Sequence, residues 1–295
     1  MIFKLFYYIL LMTVRLLRFE GQGNENIEPT IRSIAKKYGD ISIPIGFSLK
    51  LKKNSFYRYG YHPDSLKLPE IESYSPFVMI NSDGRFHHRT FFIVRELANH
   101  GEIAYVQLDA HNDFHSPTKN HIYNGGFVSK IMRLENVKHG SLLGIIPSNM
   151  KISLEAQLNS PEGLLFSRFP VEVYLAEDTD YFARYAFVKL YSQFSPDKIP
   201  TDSVYISTDL DVIKGFRSLY PVGRMTYIQT RDLLENICCS KRVVGADFCG
   251  LTIDKKDYLK NYSVTDSVEM AAELYGVVKN GIENGQRRVF AVSPA

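Results

Sequence analysis

The sequence predicts an α/β fold of three layers, α/β/α, built on a mostly parallel sheet. Two observations predict it. Short runs of β-branched and aromatic residues alternate with segments of helical spacing along most of the chain, the pattern of βαβ units. The residues with the richest chemistry stand at the ends of the apolar runs, where open α/β sheets bind ligands. With 295 residues, 45% of them hydrophobic, the chain can bury one large core, so residues 1–295 are expected to form a single domain.

The elements follow in order. Residues 1–14 are mostly apolar, but the run is too short to span a bilayer and has no small-residue cleavage site before Arg15 and Arg18. Residues 1–11 read as an upstream extension or a short surface helix, and residues 12–19 as a first strand. After a turn at 21–25, Asn26 caps a helix that tolerates Pro29 in its first turn and closes at Gly39-Asp40. Residues 41–75, with Pro44, Pro63 and Pro69, read as a short strand and a long surface excursion. Residues 77–80 form a strand and 90–100 a helix. Residues 103–107 form the next strand, and a polar loop over 114–123 leads to a helix over 127–134. Strands are expected at 142–146 and 171–175, with a loop over 147–169 between them. Ala183, Phe187, Leu190 and Phe194 share one face of a helix predicted over 182–194. A strand over 204–212 is followed by a loop at 214–223. Thr226 caps a helix reaching 238, and residues 243–248 form a last strand. The longest helix is predicted over 263–284, with Val268, Ala271, Ala272, Leu274, Val277 and Val278 as its apolar stripe and Gly281 or Gly285 as its end.

Composition excludes some functions. A formal charge of +3 with scattered basic residues gives no reason to expect a nucleic-acid partner. Cys238, Cys239 and Cys249 form no CxxC motif and no even disulfide framework, which favours a reducing, cytoplasmic setting.

The chemistry concentrates in Leu108-Asp109-Ala110-His111-Asn112-Asp113. If strand geometry persists, Asp109, His111 and Asp113 point the same way; otherwise this is a polar turn after a strand. A second stretch, Ser207-Thr208-Asp209-Leu210-Asp211, places Ser207, Asp209 and Asp211 on one face. A buried strand does not carry two carboxylates on one face unless a cation neutralises them. Four aspartates and at least one histidine from two strands suit a pair of divalent ions better than a salt bridge. His87 and His88, in the loop after the strand at 77–80, fit the same reading.

These motifs resemble the ureohydrolases, the arginase and agmatinase family, whose relatives include deacetylases of the same fold. The resemblance spans roughly residues 77–284. It rests on DAHND at 109–113, STDLD at 207–211 and VVGADF at 243–248, the last before a long helix. It implies an arginase/deacetylase-like fold and two manganese ions bridged by Asp109 and Asp209. Asp113 and His87 (with His88 as the alternative) would complete the first ion's ligands, and His111 with Asp211 the second's. Aligning Arg95-Glu96-Leu97 with the family's following helix favours His87. The metals would lower the pKa of a water toward neutrality and stabilise the developing charge.

Two departures from the family pattern concern the substrate. The family's guanidinium-binding glutamate falls at Gly250, three residues after Asp247, so Asp247 or Asp83 is the candidate acceptor. The histidine of the family's HG pair falls within Asn124-Gly125-Gly126 and is missing. That leaves His121 or His115 to shuttle protons and Asn124 as a substrate contact. The loop between Asp113 and Gly125 is also shorter than in enzymes that grip free arginine.

The reading that follows is a manganese hydrolase releasing urea from a guanidino group, with arginine inside a peptide as the favoured substrate and ornithine as the product, a peptide arginase. The alternatives are an agmatinase or arginase acting on a free small guanidino compound, a deacetylase-like amidohydrolase, and a degenerate metal-binding protein. Asp113 as a second-site acid argues against the deacetylase. The expected partners are a peptide or small guanidino substrate, with no stable membrane span and homo-oligomerisation left open.

Overall fold

The computed structural model of the chain describes residues 14–19, 28–40, 42–45, 76–82, 84–115, 122–159, 164–177, 179, 182, 185–216, 222–251 and 264–292. Its sheet consists of β1 (Arg15–Phe19), β2 (Ser42–Ile45), β3 (Phe77–Ser82), β4 (Ile103–Leu108), β5 (Val137–Ile145), β6 (Val171–Leu175), β7 (Val188–Leu190), β8 (Ser203–Asp209) and β9 (Arg242–Cys249). The order across the sheet is β2-β1-β3-β9-β8-β4-β5-β6-β7. Every pairing between these strands is parallel.

Parallel strands bury both faces and so read as continuous apolar runs; β4 and β8 are buried along their whole length. One core lies on the face covered by α2 (Thr90–Ala98), α3 (Phe127–Ile131) and α4 (Pro147–Leu158), with Phe92, Phe127 and Leu154 among its members. The other lies under α1 (Glu28–Tyr38), α5 (Tyr227–Ser240) and α6 (Val264–Val292), with Ile34, Ile237 and Leu274. The result is the expected three-layer α/β/α arrangement. No helix among the described residues is long and apolar enough to cross a membrane.

Chain order puts the chemistry at the centre. β4 and β8 are neighbours, pairing Gln107 with Ser207 and Leu108 with Thr208. β9 flanks β8 on the other side and pairs Asp247 with Ser207. Segments distant in sequence therefore leave the sheet side by side at their carboxyl ends.

Several elements differ from the sequence-based expectation. The loop expected over 147–169 contains α4. Pro147 starts this helix instead of breaking it, since the first turn needs no proline N–H, and Met150 and Leu154, one turn apart, are buried. The helix expected over 182–194 is replaced by β7, which pairs Val173 with Val188, and by a short 3-10 turn at Tyr191–Gln193. Three residues of edge strand are too few to show alternation, so the chance spacing of apolar residues dominates the pattern.

α6 does not stop at Gly281 or Gly285 but passes through both. A Cβ at Gly281 would lie 2.5 Å from the Cβ of Cys238, so this glycine lets α6 approach α5 closely. β4 ends at Leu108, so strand alternation does not carry His111 and Asp113; a loop does. β8 likewise ends at Asp209, and Leu210–Val212 form a 3-10 turn in which the Asp209 side chain accepts from the Asp211 backbone N–H. Thr226 caps α5 as expected, through a reciprocal pair of hydrogen bonds with Gln229. The extension at 1–11, the turn at 21–25 and most of the excursion over 41–75 lie outside the described residues.

Candidate metal centre

Three strand ends build the site. After β3, a 3-10 turn at Gly84–Arg89 carries His87. The loop after β4 supplies Asp109, His111 and Asp113, and the end of β8 supplies Asp209 and Asp211. His87 Nδ1 lies 3.3 Å from Asp109 Oδ2, 3.4 Å from Asp113 Oδ2 and 3.6 Å from Asp209 Oδ2. His111 Nδ1 lies 3.2 Å from Asp211 Oδ2 and 3.4 Å from Asp109 Oδ1. Asp109 thus turns one oxygen to each histidine. Donors held at about 2.1 Å around one divalent ion stand roughly 3 to 3.5 Å apart, which is close to this spacing.

Asp113 reaches His87 from a left-handed backbone, φ 47°, a conformation that aspartate tolerates better than most residues. The loop is clamped by α4. Asn112 Oδ1 accepts from the Phe114 backbone N–H and from Ser153 Oγ, both at 2.9 Å, while the Asn112 N–H donates to Asn149 Oδ1. Gln107 adds a donor to Asp109 Oδ2 at 2.7 Å and is itself held by the Tyr105 hydroxyl.

Behind His87 stands a chain of hydrogen bonds that fixes its tautomer. Asp247 is fully buried. Its Oδ2 accepts from Thr90 Oγ1 and Tyr205 OH, both at 2.7 Å, and its Oδ1 from Ser207 Oγ at 2.8 Å. Ser207 has spent its only hydrogen on Asp247, so its contact with His87 Nε2, 2.8 Å, is an N–H donated by the imidazole. A proton therefore sits on Nε2, and Nδ1 faces the three aspartates. Burial opposes the imidazolium, but Asp109, Asp113 and Asp209 outweigh it and raise its pKa well above the ordinary value, so without a metal Nδ1 is protonated as well. This corrects the reading of Asp247 as the substrate's acceptor: both of its oxygens are occupied, and it orients His87 instead.

The electrostatics call for cations. Burial, then the charges of Asp211 and Asp109, raise the Asp209 carboxyl well above its ordinary range. Burial and Asp109 push Asp113 up to about 7. Burial opposes the imidazolium of His111, but Asp211 and Asp109 outweigh it and push its pKa up to about 12. Without a metal, protons must neutralise this cluster. Asp211 Oδ2, like His87 Nδ1, is buried without a hydrogen-bond partner among the described residues, so both atoms are left for a cation. Carboxylate and imidazole donors in this number fit two divalent ions.

The other candidate residues read from the sequence fall in different places. His88 is fully buried and stacked on Phe86; burial, Arg89 and His87 push its pKa down, and it belongs to none of the donor groups that could hold an ion. His115 lies over Gly125, with Nδ1 3.4 Å from Ser153 Oγ. Asn124 is in the turn that precedes α3. His121 and Asp83 lie outside the described residues. Gly250 has φ +86°, and a Cβ there would lie 2.2 Å from Asp209 Oδ1, so the space a side chain would need already holds Asp209. Sequence reasoning missed Cys249, whose thiol donates to Asp209 Oδ2 at 3.3 Å. The β8–β9 register that pairs Asp209 with Cys249 is what reveals it.

Fold and site together define a class: a parallel α/β protein with an acid–histidine centre at the carboxyl ends of its middle strands. The chain belongs to the arginase family, whose model matches residues 86–256, more than half of its length. Among solved structures it is similar to the proclavaminate amidino hydrolase of Streptomyces clavuligerus, at 15% identity and a TM-score of 0.57 over 92% of this chain and 93% of that one. The agmatine ureohydrolase of Thermoplasma volcanium shares 16% identity with a TM-score of 0.56, covering 94% and 92%. The formimidoylglutamase of Bacillus subtilis shares 13% with a TM-score of 0.57, covering 92% and 87%. A comparison with curated protein sequences gives no match.

Proposed function

We propose that this protein is a two-metal ureohydrolase that releases urea from a guanidino group, converting arginine within a peptide to ornithine. One observation carries the reading: four aspartates, three of them buried and Asp113 largely so, converge with two histidines, and His87 Nδ1 and Asp211 Oδ2 have no hydrogen-bond partner among the described residues. In this reading Asp109 and Asp209 would be shared by two ions, His87 and Asp113 would help hold one and His111 and Asp211 the other; manganese is the metal the family resemblance implies. Bound ions supply Lewis acidity and bring the pKa of a water toward neutrality.

The protein's own groups do the rest. Ser207 and Asp247 hold His87 in one tautomer, and Gln107 fixes the plane of Asp109. Ser153 gives its hydrogen to Asn112 Oδ1, so its contact with His115 needs an imidazole N–H on Nδ1. His115 Nε2 is then the basic nitrogen and the candidate proton acceptor in this reading; His121 is the alternative for this role. With Asp247 occupied, Asp83 remains as an acceptor for the guanidinium and Asn124 as a further contact.

The family resemblance implies that the segment from Phe114 to Asn124, shorter than in enzymes that grip free arginine, lacks their anchors for the α-amino and α-carboxylate groups of a free amino acid. A peptide backbone can supply binding through other contacts and orient the side chain for attack. The test is urea release by manganese-loaded protein from an arginine-containing peptide, free arginine and agmatine. The peptide is expected to have the highest kcat/KM by at least about tenfold, a difference of about 1.4 kcal/mol in transition-state binding. Preference for free arginine or agmatine would reject the peptide and keep the ureohydrolase; no urea from any of them would reject both.

A further inference from the structure

We propose that Cys249 is a sulfur ligand of the ion on the His87 side of the centre, making that half prefer cobalt(II) or zinc to manganese. The inference rests on the two-metal reading and adds a ligand and a metal preference to it. Asp209 Oδ2 is the shared reference point: Cys249 Sγ lies 3.3 Å from it and His87 Nδ1 3.6 Å from it. The three donors all lie within 4.8 Å of one another. Cys249 is fully buried and His87 is 1% exposed. The independent pointer to a ligand is His87 Nδ1, which is buried and has no hydrogen-bond partner among the described residues.

The backbone supports the placement. Parallel register sets Cys249 beside Asp209 at the last pair of β8 and β9, and Gly250 turns the chain away immediately afterwards, at φ +86°. Coordination breaks the S–H bond that now points at Asp209, releases that proton to solvent and forms a metal–sulfur bond; no electron is transferred. Thiolate is a soft donor that favours zinc and the later divalent metals over manganese. The other half of the centre, Asp109, His111 and Asp211, offers only nitrogen and oxygen and retains a set suited to manganese. The two halves are thus chemically unequal.

The test uses the full chain loaded with cobalt(II), with Cys239→Ser as the common background to remove the exposed thiol. Two bound ions and a near-ultraviolet sulfur-to-cobalt charge-transfer band are expected. Cys249→Ser should abolish the band while circular dichroism stays unchanged. In zinc–manganese competition the same change should shift selectivity toward manganese by about tenfold or more. Cys249→Ala, which has no donor atom, should lose the band as well. Two ions without the band would overturn the proposal, leaving Cys249 as an S–H donor to Asp209. No cobalt bound at all would overturn the two-metal reading together with it.

Discussion

Asp209 is the side chain on which the contacts of the centre converge. It faces His87, receives the Cys249 thiol and the Asp211 backbone N–H, and fills the space that a side chain at Gly250 would need. In the proposed two-metal reading Asp209→Asn should lose metal, because a neutral amide is a poor bridge between two cations; metal analysis of the purified variant checks this. His87→Ala should lower metal content far more than His88→Ala, since His87 Nδ1 faces Asp109, Asp113 and Asp209 while His88 belongs to none of the donor groups among the described residues. Ser207→Ala should weaken metal binding by about 10- to 100-fold, the usual cost of removing a partner that orients a ligand. Direct metal titration measures it, and unchanged affinity would mean that the tautomer of His87 is fixed by other contacts. The ligand types are readable in the sequence because paired acids on apolar strands need a cation. The role of Asp247 is not: whether a buried carboxylate faces a substrate or a serine depends on which strands are neighbours, and the β8–β9 register decides that.

At the scale of elements, the strands and helices with strong periodicity are legible in the sequence and the marginal ones are not. Pro147 resembles a loop signal but opens α4, whose Asn149 and Ser153 then hold the ligand loop in place. Strand alternation gives the correct neighbours for Asp109 but for the wrong reason, since His111 and Asp113 are carried by a loop held by side-chain hydrogen bonds. Gly281 resembles a helix end because glycine is unfavourable inside helices. Its actual cause is the contact with Cys238, which no local pattern encodes. Gly281→Leu should destabilise the fold by about 1–3 kcal/mol through overpacking between α5 and α6, read as a lower denaturation midpoint with an unchanged slope. A stability equal to that of the unaltered chain would mean that the two helices are not in close contact.

For the whole molecule, the raised pKa values give a sign to pH dependence in metal-free protein. Asp113 rises from 3.8 to about 7 on folding and His111 from 6.5 to about 12. Both bind protons more tightly when folded, so their contribution is fully present below the unfolded pKa. It is lost as pH rises, through 3.8 to about 7 for Asp113 and 6.5 to about 12 for His111. Metal replaces those protons. The increase in melting temperature on adding manganese after chelation should grow from about pH 6 to about pH 9, and a difference that shrinks over this range would contradict the linkage.

The most direct measurement is metal stoichiometry. The purified chain, stripped with a chelator and reloaded with a divalent metal in excess, is passed through a desalting column and analysed by plasma mass spectrometry beside Asp209→Asn. Close to two ions per chain are expected in the unaltered protein and far fewer in the variant. A chain that retains no ion after reloading, or a variant that retains both, would contradict a two-metal centre built on Asp109 and Asp209.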